Sequence, residues 1–147
     1  MTEARRRVLF LCIHNSARSQ MAEGWLRHLG SERFEAHSAG IEGTSVRPLA
    51  IRAMQEAGVD ISGQRPKSLD EYRGQAFEWV ITVCDEAAEA CPSFPGPAQR
   101  LHWPLPDPAR VKGGEGEQLA VYRHVRDALR AAIEAFVAQV PDPSDSR

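Results

Sequence analysis

No apolar run in the sequence approaches the roughly 18 residues of a membrane span, so nothing in it predicts a helix crossing a bilayer. Charge of either sign is also not in excess. The net charge is −2, which marks neither a nucleic-acid partner nor a membrane surface, so any preference for anions must be built locally. Cysteine is scarce: three residues, an odd number, argue against a purely structural disulfide framework. Repeats and low-complexity tracts are missing, and 147 residues suit one core, so the sequence predicts a single domain over 1–140 with a frayed tail over 141–147. The start, MTEARRRVLFLCI, has basic residues before an apolar stretch. That stretch is too short for a secretory signal and lacks a small-residue cleavage site, so it is read as a first strand. A reducing cytoplasm is the expected location, where cysteines are more often catalytic, redox-active, metal-binding or simply buried than bridged.

Hydrophobic periodicity divides the chain into alternating strands and helices. Val8–Ile13 and Phe77–Val83 are largely apolar runs with the length of strands, and Phe34–Ser38 and Arg100–Trp103 read as shorter strands. Ser19–Leu29 places Ala22, Trp25, Leu26 and Leu29 on one helical face. Pro48–Ala57 starts with proline and stops at Gly58, as a helix does. Asp60–Lys67 reads as a polar loop and Leu69–Arg73 as one helical turn. In Glu117–Val140, Leu119, Tyr122, Val125, Leu129, Ile133, Phe136 and Val140 recur three or four apart, the pattern of a long amphipathic helix. Asp85–Ala90 is helix-prone until Pro92 and the following prolines break it. The alternation predicts a three-layer α/β sandwich, a central parallel four-stranded sheet with helices on both faces. Ligands in such folds sit beyond the carboxyl ends of the strands.

The first strand delivers Cys12 there. Cys12, Ile13, His14, Asn15, Ser16, Ala17, Arg18 and Ser19 then form a loop that runs into a helix. Such a loop aims backbone N–H groups and a positive helix end at its centre, which is a site for an anion. Arg18 adds a planar fork of donors matched to two oxygens of a tetrahedral oxyanion. The same field favours a thiolate at Cys12. Ser16 and Ser19 can donate hydrogen bonds to the sulfur or the oxyanion, and Asn15 tolerates the positive φ that a tight loop without glycine needs. Taken singly, these residues have plainer readings: a cysteine at a strand end is usually a small buried hydrophobe, and Ser19 could be a helix cap. The C-x5-R-S combination between a strand and a helix is far rarer. His14 is read as a loop residue, since an ionised Cys12 needs no base.

This motif resembles that of the low-molecular-weight protein tyrosine phosphatase superfamily. The longer string Cys-Ile-His-Asn-Ser-Ala-Arg-Ser-Gln-Met-Ala-Glu-Gly resembles its thioredoxin-coupled arsenate reductase branch, whereas the phosphatases usually have proline where this chain has Gln20. Weaker likeness continues through Ser38-Ala39-Gly40, Thr82-Val83-Cys84-Asp85 and Asp107-Pro108-Ala109. The resemblance implies that Asp107, stiffened between Pro106 and Pro108, protonates the leaving oxygen. Without it, Asp107 would read as a turn residue. The resemblance also implies a relay. Cys12 attacks arsenate, Cys84 attacks Cys12 and expels arsenite, and Cys91 attacks Cys84 to leave a bridge that thioredoxin reduces. Two thiols are needed because the reaction moves two electrons. If residues 85–90 are helical, Cys84 and Cys91 lie about 10 Å apart along the axis, beyond the roughly 7 Å between Cα atoms that a disulfide spans. Oxidation is therefore expected to rearrange 84–97.

One departure from the branch stands out. Some of its members bind potassium beside the active loop through an aspartate. Asn15, Glu23 and Ser38 match the rest of that site, but Lys67 stands at the aspartate's place, so no potassium requirement is expected and Lys67 is expected to pair with Glu23. Read alone, Lys67 would be a solvated loop lysine. Other readings stay open at this stage: a phosphatase for aryl phosphates, a non-catalytic anion or redox module, a zinc site using the cysteines and His102, and a small thiol with glutaredoxin as reductant. The residue after the Asp-Pro pair is Ala109, not the tyrosine common in phosphatases of this size. The expected partners are arsenate, with phosphate and sulfate as competitors, and thioredoxin. No cofactor, metal, nucleic acid or membrane is expected, and the lack of an apolar outer helix face predicts a monomer.

Overall fold

The computed structural model describes residues 5–15, 17–41, 45–84 and 94–140. Four strands, β1 (Arg6–Leu11), β2 (Phe34–Ala39), β3 (Trp79–Thr82) and β4 (Gln99–His102), form one parallel sheet in the order β2-β1-β3-β4. Three α-helices, α1 (Arg18–Gly30), α2 (Pro48–Glu56) and α3 (Glu115–Gln139), connect and cover it. The expected α/β class with a four-stranded parallel sheet is therefore the observed one, but among the described residues all three α-helices pack into one core and the opposite face carries a 3-10 turn in place of an α-helix. Boundaries move by one or two residues. The first strand starts at Arg6 and stops at Leu11 rather than Ile13, α1 begins at Arg18, and α3 begins at Glu115 behind Gly114. Strand ends shift because pairing partners, not apolarity, decide where a ladder stops. Arg6 pairs with Phe34 and Leu11 with Ala39, and the chain then turns away.

Central β1 explains the two-sided core. Its last four residues are buried, as a parallel strand covered on both faces requires. Val8 and Phe10 point into the larger core, with Trp25 and Leu26 of α1, Ala53 and Met54 of α2, and Leu129 and Ile133 of α3. Leu9 and Leu11 point the other way, onto Tyr72, Phe77, Val80 and Phe94. Among the described residues, that second face is covered by the 3-10 turn Leu69–Tyr72 and by the segments around Phe77 and Phe94. Full burial of a leucine or isoleucine such as Leu129 or Ile133 contributes about 1.5–3 kcal/mol. All seven apolar positions expected on the long helix are buried.

Helix ends are closed locally. After α2, Gly58 takes φ +84°. Its N–H reaches the Gln55 carbonyl and that of Val59 reaches Met54, the two bonds of a Schellman motif. The far end of α3 is capped from a distance. The Arg33 guanidinium donates to the Val137 carbonyl at 3.1 Å and also to the Val140 carbonyl. A cation there also complements the negative end of the helix dipole.

Candidate active site

Cys12 is the first residue beyond β1, at the carboxyl edge of the sheet, and is 2% exposed. The loop after it is tied to two neighbours. The Ile41 N–H donates to the Ile13 carbonyl at 2.8 Å, and the Cys12 N–H to the Ala39 carbonyl at 3.3 Å. On the far side Gly40 makes an isolated parallel bridge with Ser68. Asn15 is the only described non-glycine residue at positive φ, at 53°, as a glycine-free turn requires. Its side chain holds it there. Oδ1 accepts from the Lys67 backbone N–H at 2.7 Å and from Gln20 Nε2 at 2.8 Å, which leaves Nδ2 to donate to Ser19 Oγ, also at 2.8 Å. Ser19 Oγ lies 2.8 Å from Cys12 Sγ. With Asn15 donating to its oxygen, the Ser19 hydroxyl has its own proton available for the sulfur, a charge-assisted bond when the sulfur is a thiolate.

Arg18 opens α1 and is 2% exposed. One amino group donates to the Leu105 carbonyl at 3.1 Å, and the other stands 3.7 Å from Asp107 Oδ2. Asp107 is fixed from its other oxygen, where Oδ1 accepts from the Ala109 N–H at 3.0 Å and caps the short turn Pro108–Arg110. One carboxylate oxygen is thus anchored and the other turned toward the Arg18 guanidinium. Tyr122 of α3 lies close enough to feel the Asp107 charge. Its burial, more than that charge, pushes the phenol above its ordinary range, so it stays a neutral hydroxyl.

Cys84 lies two residues past β3 and is fully buried. Leu11 pairs with Thr82 in the parallel register, so Cys12 and Cys84 leave adjacent strands at the same edge. The Cys84 Sγ is 3.9 Å from the Leu11 carbonyl, on the peptide that leads into Cys12. Both thiols lie in one core cluster. Cys91 and the 85–90 helix expected from the sequence lie outside the described residues, as do Ser16 and the 141–147 tail.

The lysine substitution is also located. Lys67 is 7% exposed and Glu23 is 1% exposed. Lys67 Nζ lies 3.0 Å from Glu23 Oε1, which also accepts from the Ser38 hydroxyl at 2.6 Å. Arg27 pairs with the other Glu23 oxygen at 2.9 Å. The expected Lys67–Glu23 pair is therefore present, and Lys67 is not a solvated loop residue. No group of three or more His, Cys, Asp or Glu that could hold a metal ion occurs among the described residues.

The structure brings Cys12, Asn15, Arg18, Ser19, Cys84 and Asp107 to one edge of the sheet. Sequence reasoning missed the Leu105 carbonyl, the Lys67 backbone N–H, and Gln64, which donates to Gln20 Oε1 at 2.8 Å. The first two act through the main chain, where side-chain identity gives no signal. Gln64 gave no signal either, since it lies 44 residues beyond Gln20 and only folding brings the two amides together.

Residues 7–144 match the family described as low molecular weight phosphotyrosine protein phosphatase. An arsenate reductase of Halalkalibacterium halodurans is 43% identical over 129 residues, which cover 88% of this chain and 93% of that one. A solved arsenate reductase in a phosphate-binding state superposes with TM-score 0.77 at 33% identity, over 92% of this chain and 99% of the other. The thioredoxin-dependent arsenate reductase of Corynebacterium glutamicum gives TM-score 0.62 at 30% identity, over 92% of this chain and 65% of its own.

Proposed function

Because the chain belongs to the low molecular weight phosphotyrosine protein phosphatase family, and matches arsenate reductases within it over most of its length, we propose that it reduces arsenate to arsenite with electrons from thioredoxin. The observation that carries this reading is the second thiol. A phosphatase needs Cys12 alone, yet Cys84 is buried against the peptide that leads into Cys12.

The loop from Cys12 to Ser19 and the Arg18 fork hold the tetrahedral anion. The Cys12 sulfur attacks arsenic, and an oxygen leaves as water with a proton from Asp107. Cys84 then attacks the Cys12 sulfur. The S–S bond forms as the S–As bond breaks, the bonding pair stays on arsenic, and arsenic(V) leaves as arsenite. Cys91 attacks Cys84 and releases the Cys12 thiolate to the Ser19 hydroxyl. Thioredoxin reduces the Cys84–Cys91 bridge, which closes the two-electron cycle. Phosphate and sulfate compete for the same loop because it reads charge and tetrahedral shape. The chain works as a cytoplasmic monomer, and aryl phosphate hydrolysis is a weak side activity of the same nucleophile.

The test is arsenate-dependent NADPH oxidation with thioredoxin and thioredoxin reductase, wild type beside Cys91→Ser. Turnover in the wild type that collapses in the variant is the expected result. No wild-type turnover, with aryl phosphate hydrolysis intact, makes the chain a phosphatase. Lys67 supplies a fixed positive charge to Glu23, so exchanging potassium for choline at constant ionic strength leaves arsenate turnover unchanged. Strong potassium stimulation contradicts that assignment.

A further inference from the structure

Gln20 is fully buried in the first turn of α1, and none of the steps above uses it. Its amide joins a hydrogen-bond chain that runs from a half-buried side chain to the nucleophile. Gln64 Nε2 donates to Gln20 Oε1 at 2.8 Å and to the Gln20 backbone carbonyl at 3.0 Å. Gln20 Nε2 donates to the Asn15 carbonyl at 3.0 Å, to Asn15 Oδ1 at 2.8 Å and to the Arg65 carbonyl at 2.9 Å. Asn15 Nδ2 donates to Ser19 Oγ, which meets the Cys12 sulfur.

The chain has a direction. Gln64 fills the acceptor end of the Gln20 amide, so the donor end stays turned toward Asn15. Gln20 and the Lys67 backbone both donate into Asn15 Oδ1, so the Asn15 amide stays turned with its donors toward Ser19. Ser19 therefore accepts from Asn15 and has its single proton available for a thiolate at Cys12. Reversing any amide puts donor against donor or acceptor against acceptor in a buried site, at a cost of about 1–3 kcal/mol. The same Gln20 donor grips the Asn15 main-chain carbonyl, at the one described non-glycine residue in the left-handed region.

We propose that Gln20 is a positioning residue for the reaction and that Gln64 is its outer anchor. Together they set the polarity of the Asn15–Ser19 pair and so the supply of a proton to the Cys12 thiolate. The proposal rests on the reading of Cys12 as nucleophile, but not on arsenate as its substrate.

Iodoacetamide alkylation of Cys12, followed by mass spectrometry across a pH series, tests it in a Cys84→Ser/Cys91→Ser background. The readout needs neither arsenate nor thioredoxin. Gln20→Met is expected to slow alkylation about tenfold near pH 6 and less than about twofold near pH 10, above the ordinary range of cysteine thiols. Gln64→Met, at a half-buried position, is expected to slow it about threefold near pH 6. Because the two act in series, the double variant is expected to be no slower than Gln20→Met alone. Protection of Cys12 by inorganic phosphate is expected to persist in both variants, which separates loss of polarity from collapse of the loop. Equal slowing at both pH values, no slowing in Gln64→Met, or fully additive effects overturn the proposal. Absence of arsenate turnover in the wild type, alongside the expected alkylation pattern, supports the positioning role and counts only against the reductase.

Discussion

Gly40 shows how tightly single residues are specified around the loop. A Cβ there would stand 2.6 Å from the Ile13 carbonyl oxygen, 2.8 Å from that of Cys12 and 2.9 Å from the Asn15 nitrogen. All three are main-chain atoms of the anion loop, so no rotamer change relieves the clash. Gly40→Ala is expected to lower kcat/KM for arsenate by about 100-fold, as displacement of a reacting group by about 1 Å does, and to destabilise the fold by about 1–3 kcal/mol. Steady-state kinetics beside thermal unfolding checks both. Cys12 and Arg18 stood out in the sequence because the C-x5-R-S spacing between a strand and a helix is rare, whereas Asp107 stood out only through the family resemblance. Gly40, Leu105 and the Lys67 N–H did not, because each acts through a backbone that only long-range folding brings near. Lys67 and Glu23 fall between these cases. Their pairing was expected from a departure within a family pattern, but their burial was not readable from a polar loop.

At the level of single elements, β2 carries a charge arrangement with a defined acid sensitivity. Glu35 on this edge strand accepts from His37 at 2.6 Å and from Arg7 of β1 at 2.7 Å. Those two partners, His37 first, hold its carboxyl down from the usual 4.5 to about 2. A carboxyl depressed in the folded state stabilises the fold above its unfolded value and loses that contribution as pH falls through the folded one. The window is therefore about pH 4.5 down to about 2. Urea unfolding across it is expected to show a shallower decline for Glu35→Gln than for the wild type. The effect is modest because the carboxyl side chain is 35% exposed. Helix α1 illustrates what periodicity leaves out. Its apolar stripe predicted Ala22, Trp25, Leu26 and Leu29 in the core; the first three are buried there and Leu29 is half-buried against it. Yet Arg18, Ser19, Gln20 and Glu23 are buried as well, because the polar face of the helix packs against the anion loop and the Lys67 segment rather than solvent. A buried polar face has the same sequence pattern as an exposed one.

Across the whole molecule, the strand–helix alternation made the parallel sheet and its functional edge readable before any coordinates. Right-handed crossovers leave few ways to arrange four such strands. The cover on the second face was not readable, since it is built from a 3-10 turn and irregular segments around Phe77 and Phe94 that have no period. The site itself draws on positions far apart in the chain. The Asn15 side chain binds the Lys67 main chain, and Arg18 binds the carbonyl of Leu105. An unfolded chain thus contains no cradle at all, and whatever binds the cradle binds only the folded protein. Mass action then makes a tetrahedral anion a thermal protectant: each tenfold rise above its dissociation constant adds about 1.4 kcal/mol to folding. Inorganic phosphate, under the proposed reading of the loop, is then expected to shield the chain from heat and proteolysis as well as to occupy its site.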